Sequence, residues 1–157
     1  MRLTAQEEYG LRCLLQVARG QEDSMTTPEI AEREGLSEAH VHKLMRLLRR
    51  AGLVTSVRGR KGGYQLARPA EHINVGAALA SLGGRLYTTG FCGQHTGSEH
   101  TCVRNADCSI RTLWMAIDQA VQRALQKTQL SDLLRSEPEM DAWMRSQPEA
   151  FPLRTLS

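Results

Sequence analysis

Residues 26–69 read TTPEIAEREGLSEAHVHKLMRLLRRAGLVTSVRGRKGGYQLARP, and this stretch decides the fold. Thr26 or Thr27 can cap a helix whose first turn suits Pro28. Ile30 and Ala31 face inward, and Gly35 ends that short helix. Ser37 caps the next helix, in which Val41, Leu44, Leu47 and Leu48 make an apolar face that Gly52 closes. Two short helices joined by a tight Gly-containing turn form a helix-turn-helix. LVTSV and GYQLA then alternate as strands around the basic turn RGRKG, so a hairpin follows the second helix as a wing. Pro69 ends it, having no N–H for a ladder.

Working outward, Thr4 followed three residues later by Glu7 predicts a capped helix start, with Leu11, Leu14, Leu15 and Ala18 at helical spacing up to Gly20. QEDSM reads as a polar connector. Asn74 can cap a further helix, VGAALASLGG. Beyond Cys108, the residues Ile110, Leu113, Trp114, Ile117, Val121 and Leu125 keep a three-four spacing over about four turns. A helix this long has little in a small winged domain to bury its stripe, which predicts packing against a second copy of the chain. LSDLL reads as a short docking turn. The expected fold is mostly α with a small β wing. Its parts are a winged helix-turn-helix domain at 1–82, a cysteine-rich loop at 83–109, a dimerisation helix and docking turn at 110–134, and a tail at 135–157. The tail holds three of the five prolines and little periodicity, so it is expected to be largely disordered, with Trp143 and Phe151 as docking residues.

Charge points to the partner. Between Ala39 and Ala70 there are eight Lys or Arg residues and no acid, although the whole chain carries only +3. An acid-free basic block suits a polyanion. On the second helix of the pair, Ala39, His40, His42, Lys43, Arg46 and Arg50 lie opposite the apolar face. Lys43 and His42 would meet base edges in a major groove, and Arg46 and Arg50 would meet phosphates. Arg58, Arg60 and Lys61 at the wing suit a minor groove. The plainer alternative is a solvated basic face. Double-stranded DNA is the expected partner. No apolar run reaches the ~20 residues of a membrane span, and the N-terminus lacks a signal-peptide core, so the expected location is the cytoplasm and no membrane partner is expected.

In that compartment clustered thiols stay reduced and serve metals or catalysis. Residues 91–111, FCGQHTGSEHTCVRNADCSIR, hold three of the four cysteines: Cys92, Cys102 and Cys108. Nine residues separate the first pair and five the second, too wide for paired zinc-ribbon knuckles. By spacing alone, zinc completed by His95 or His100 and an iron–sulfur cluster stand level. A thiol sensor that forms a disulfide is a third alternative. Cys13, on the apolar side of the first helix, reads as a small buried hydrophobe. No phosphate loop, nucleophile elbow or carboxylate pair supports an enzyme. An electron carrier would not need the basic wing.

Three segments, MRLTAQEEYGLRCLL, SVRGRKGGYQLARP and the three-cysteine loop running into IRTLW, resemble the Rrf-type winged-helix transcription regulators. That family includes iron–sulfur assembly regulators and nitric-oxide sensors. The likeness spans Met1 to Leu134. It implies an operator-binding homodimer with an iron–sulfur cluster on Cys92, Cys102 and Cys108, and it puts Arg58 at the wing arginine that enters the minor groove. In the assembly-regulator branch a histidine follows the third cysteine by three positions, where this chain has Arg111. In the nitric-oxide-sensor branch a carboxylate of the other subunit, near the start of the first helix, completes a four-iron cluster, and Glu8 stands at the matching position. The resemblance therefore implies a 4Fe-4S cluster ahead of a 2Fe-2S one, sensing nitric oxide, redox state or iron–sulfur supply. The first two cysteines are further apart than in either branch. Glu8 also has an ordinary reading, as a carboxylate favoured by the helix dipole.

Overall fold

A computed structural model describes residues 3–20, 23–59, 62–84, 90–98 and 101–151. The elements follow in the order α1 (Ala5–Arg19), α2 (Thr27–Glu34), α3 (Glu38–Arg50), β1 (Val54–Val57), β2 (Gly63–Leu66), α4 (Val75–Leu82), α5 (Phe91–Gln94), α6 (Ser109–Gln126) and α7 (Glu137–Arg145), with 3-10 turns at Ala70–His72 and Asp132–Leu134. The architecture is the expected one, mostly helical with a two-stranded wing.

Each helix of the helix-turn-helix region starts where a side chain satisfies its free N–H groups. Thr4 and Glu7 form a reciprocal capping box on α1, and Thr26 and Glu29 form one on α2. Ser37 Oγ accepts from the His40 N–H to start α3. Between α2 and α3, Gly35 sits at φ 64°, in the left-handed region where a Cβ is strained. That residue sets the angle of the helix pair.

The core lies where α1, α2, α3 and α4 meet. Leu14, Ile30, Val41, Leu44, Met45 and Leu48 are fully buried there. The buried face of α3 is therefore shifted from the predicted one: Met45 is inside and Leu47 is only half-buried. On α1, Gly10, Cys13, Leu14, Val17 and Ala18 point inward, while Leu11 and Leu15 pack at the margin of the core. Gly10 lets α4 approach closely, since a Cβ there would lie 2.4 Å from a Leu82 methyl.

β1 and β2 pair antiparallel, with Val54 opposite Leu66 and Val57 opposite Gly63. Met25 adds a bridge to Tyr64, with N–H···O contacts of 3.0 and 2.8 Å in the two directions. The polar connector expected before α2 thus contains a buried residue, Met25, tied to the wing.

The chain returns to this domain after α6. Leu130 is fully buried in the core, and its N–H donates to the Ile73 carbonyl at 2.8 Å. Asn74 stands at the same junction. Its Oδ1 caps α4 by accepting from the Ala77 N–H at 3.2 Å. Its Nδ2 lies 3.0 Å from the Leu125 carbonyl and 3.2 Å from those of Gln126 and Thr128, at the C-terminal end of α6.

Along α6, Ile110, Leu113, Trp114 and Met115 are 40–55% exposed, and Ile117, Val121 and Leu125 are half-buried. The tail departs from expectation. Residues 137–145 form α7 rather than a disordered segment. Glu139 accepts from both the N–H and the hydroxyl of Ser136, Arg135 lies 5.3 Å over the Trp143 ring, and Trp143 meets Phe151 at 5.3 Å between centroids. Three prolines did not exclude a helix, because Pro138 falls in the first turn, where no intrahelical N–H is needed.

Candidate functional site

α3 carries its core residues on one side and leaves Ala39, His42, Lys43, Arg46 and Arg50 exposed on the other. Arg49 is exposed as well and adds a cation that the periodicity argument left out. Arg58 is exposed where β1 leads into the wing turn; Arg60 and Lys61 lie outside the described residues. The described surface is cationic over the α3 face and the base of the wing.

His40 behaves differently from its neighbours. It is half-buried, with its ring edge-on to Tyr9 at 5.6 Å and 89°. The Arg12 guanidinium lies 5.5 Å over the same tyrosine. Arg12 also donates through Nε to Glu34 Oε2 at 2.5 Å and through Nη2 to the Glu34 carbonyl at 3.0 Å. Gln16 donates to the second Glu34 oxygen. The Glu34 side chain is 8% exposed, so burial keeps water from competing for these contacts. This clamp joins α1 to the end of α2 and, through Tyr9, to the start of α3. Nothing in the sequence signalled it, since its partners lie up to 22 residues apart.

The cysteine loop lies between α4 and α6. Cys92 is on the short α5, Cys102 is in the irregular segment, and Cys108 is the N-cap of α6, its sulfur 3.4 Å from the Arg111 N–H. All three are half-buried, and none is disulfide-bonded. His95 stacks on Phe91 at 4.2 Å between centroids, and its Nδ1 lies 2.8 Å from the Phe91 carbonyl oxygen. His100 lies outside the described residues. Glu8 is exposed on the first turn of α1, beside Glu7, which the capping box occupies. Among the described residues, no three His, Cys, Asp or Glu side chains converge as a ligand set. The donor chemistry still suits an iron–sulfur cluster: three accessible soft thiols share one glycine-containing loop, and one of them is already placed against a backbone N–H.

Cys13 lies apart from this loop. It is fully buried on α1, and burial pushes its thiol from 9.0 up to about 12. A thiol reagent should therefore modify three cysteines of the native metal-free protein and the fourth only after unfolding. Four fast-reacting thiols in the native protein would contradict the placement. The sign of the linked pH effect follows from the raised value. The unfolded chain loses this proton first, so the Cys13 contribution is full below about pH 9 and is lost as pH rises toward 12. Urea midpoints taken from pH 8 upward should fall more steeply for the native sequence than for a Cys13→Ala protein.

Known proteins share both sequence and fold with this chain. The model of the Rrf2 family, described as iron-dependent transcriptional regulators, matches residues 3–136. Protein rrf2 of Nitratidesulfovibrio vulgaris is 39% identical over 136 residues, covering 86% of this chain and 88% of that protein. The transcriptional regulator NsrR of Halalkalibacterium halodurans is 31% identical over 149 residues, covering 94% and 100%. Among solved structures, that of CymR, the global cysteine regulator of B. subtilis, superposes with a TM-score of 0.69 at 29% identity, covering 85% of this chain and 95% of the other. Helix-turn-helix, wing and family match agree, and this chain belongs to the Rrf2 family of DNA-binding transcriptional regulators rather than to any class of enzyme.

Proposed function

We propose that this regulator works as a homodimer whose operator affinity is set by an iron–sulfur cluster held by Cys92, Cys102 and Cys108. The observation that carries this reading is the position of Cys108. It is at once the last thiol of the loop and the cap of α6, so the proposed metal-binding segment runs directly into the helix that carries the exposed apolar stripe. The stripe supports pairing with a second copy, because Ile110, Leu113, Trp114 and Met115 otherwise remain in water. The iron in the family's description supports a cluster over zinc.

Glu8 of the partner subunit is the proposed fourth ligand, a hard donor at an otherwise sulfur-held site. A bound cluster would supply a redox- and ligand-sensitive iron, with the oxygen-ligated metal the most open to nitric oxide or an oxidant. The protein's own part is mechanical. Glu8 and Tyr9 are adjacent on α1, and Tyr9 supports the start of α3 through His40. The tie at Glu8 thereby bears on the two recognition helices and their fit to paired half-sites. On the DNA, Lys43 and His42 read base edges, Arg46, Arg49 and Arg50 meet phosphates, and Arg58, Arg60 and Lys61 follow the wing into the minor groove.

Anaerobic purification followed by a visible spectrum with iron and sulfide counts tests the cofactor. Cys108→Ser sharpens that test. Serine keeps the helix cap but not the soft thiolate, so the variant should lose colour and iron while its thermal melt without metal stays close to that of the parent. A colourless parent with one zinc per chain would replace this reading with a zinc-based regulator. That second reading draws on the donor types, since three loop thiols with His95 make a set that zinc also accepts. For Glu8→Ala, unchanged spectrum and unchanged operator affinity would remove Glu8 from the site.

A further inference from the structure

We infer that Asn74 is the residue that fixes the angle between the dimerisation helix and the DNA-binding domain, and thereby the half-site spacing the dimer accepts. The inference rests on the dimer reading given above. Its basis is that one side chain serves two helix ends. The carboxamide oxygen accepts the Ala77 N–H and starts α4. The carboxamide nitrogen faces three carbonyls at the end of α6, those of Leu125, Gln126 and Thr128, at 3.0–3.2 Å. Its two N–H groups are shared among these three acceptors at the end of the helix, where the Leu125 carbonyl also takes the Thr128 N–H at 3.2 Å.

The surroundings leave little slack at this point. The Val75 N–H donates to the Thr128 carbonyl at 3.0 Å, and Thr128 is 5% exposed. Gly76 brings α4 against Leu125 so closely that a Cβ would lie 3.1 Å from the Leu125 Cβ. The Thr128 hydroxyl is turned back to the Ala124 carbonyl at 3.0 Å. The N-terminal half of α6 has its large apolar side chains exposed, so this junction near its C-terminal end is where the helix is held to its own domain. Small changes of angle here are magnified along 18 residues of helix. A dimer that reads two half-sites is sensitive to such changes, because the separation of its recognition helices must match the turn of the duplex.

Asn and Asp are both strong N-caps, which separates the two roles of this side chain. Asn74→Asp keeps the acceptor for Ala77 and replaces the shared donors by a carboxylate facing three carbonyls at the negative end of α6. The domain stays capped and the junction is repelled. Asn74→Ser gives a second, uncharged variant that caps α4 without donors reaching α6. Asn74 acts as a positioning residue and is not expected to touch DNA.

The test uses anaerobically purified full-length protein and duplexes selected from a random pool by the parent protein. These are resynthesised as single half-sites and as paired half-sites with the spacing changed by one or two base pairs. Both variants should bind the single half-site as the parent does. They should bind the paired site about tenfold more weakly, with a flattened dependence on spacing. A parent-like spacing profile in both variants would overturn the inference and leave the dimer reading intact. Equal losses on single and paired sites would also overturn it, by showing that Asn74 only supports the domain. A parent protein that sediments as a monomer and shows no preference for paired sites would overturn the dimer reading, and the inference with it.

Discussion

A protein carrying both Arg46→Ala and Arg50→Ala should bind operator DNA about ten- to a hundredfold more weakly at moderate salt, and its log affinity should fall about two units less steeply with log salt concentration. Both guanidinium groups are exposed, four residues apart, on the α3 face that carries no core residue. Exposed arginines in the later part of a recognition helix meet phosphates, and each neutralised phosphate releases close to one counterion. The loss should be nearly the same on unrelated DNA. Lys43→Ala should behave in the opposite way, with a smaller change of salt slope and a loss concentrated on the selected sequence. Fluorescence anisotropy over a series of salt concentrations separates the two patterns. An unchanged slope in the double variant would place Arg46 and Arg50 away from the phosphate backbone.

Leu44→Ala should cost about 2–5 kcal/mol of folding stability, a large part of the roughly 5–15 kcal/mol typical of a single domain. Leu44 is fully buried on α3, in the core it shares with α1 and α2. Truncation removes burial and leaves a cavity among side chains held from several directions. A urea titration of the metal-free protein should show a clear fall in midpoint. His42→Ala, on the opposite face of the same helix, should stay within about 0.5 kcal/mol of the parent. Similar midpoints for the two variants would contradict the orientation of α3 and, with it, the proposed DNA-reading face.

The DNA-binding half was legible because its determinants are local. Thr26, Gly35 and Ser37 mark helix ends by their own chemistry, and the wing follows from alternation around a glycine-rich turn. Leu47 is expected inside and Met45 has no place in the predicted stripe, because a short helix permits more than one apolar stripe, and packing against α1 and α4 chooses Met45. α7 was missed although Ser136 and Glu139 repeat the signature read at Thr4 and Glu7. Three prolines in the tail argue against a helix by number, but Pro138 lies in the first turn, where a helix accepts it. The clamp of Arg12, Gln16 and Glu34 and the double role of Asn74 lie beyond sequence pattern, since each joins segments brought together only by the fold. At the cysteine loop, residue types indicated metal chemistry, yet the described thiols do not converge. Spacing in sequence does not define a coordination sphere when the intervening chain is irregular.

The bridge between Met25 and Tyr64 has a consequence for how a duplex is gauged. By joining the wing to the residue just before α2, it makes hairpin and helix pair a single stiff body. The exposed face of α3 and the paired strands of the hairpin then behave like the two jaws of a caliper with a set opening. A duplex touched by both would be measured across adjacent grooves, and a groove of unsuitable width would be rejected even where every base is correct. Sequence preference would thus extend to positions that no side chain contacts.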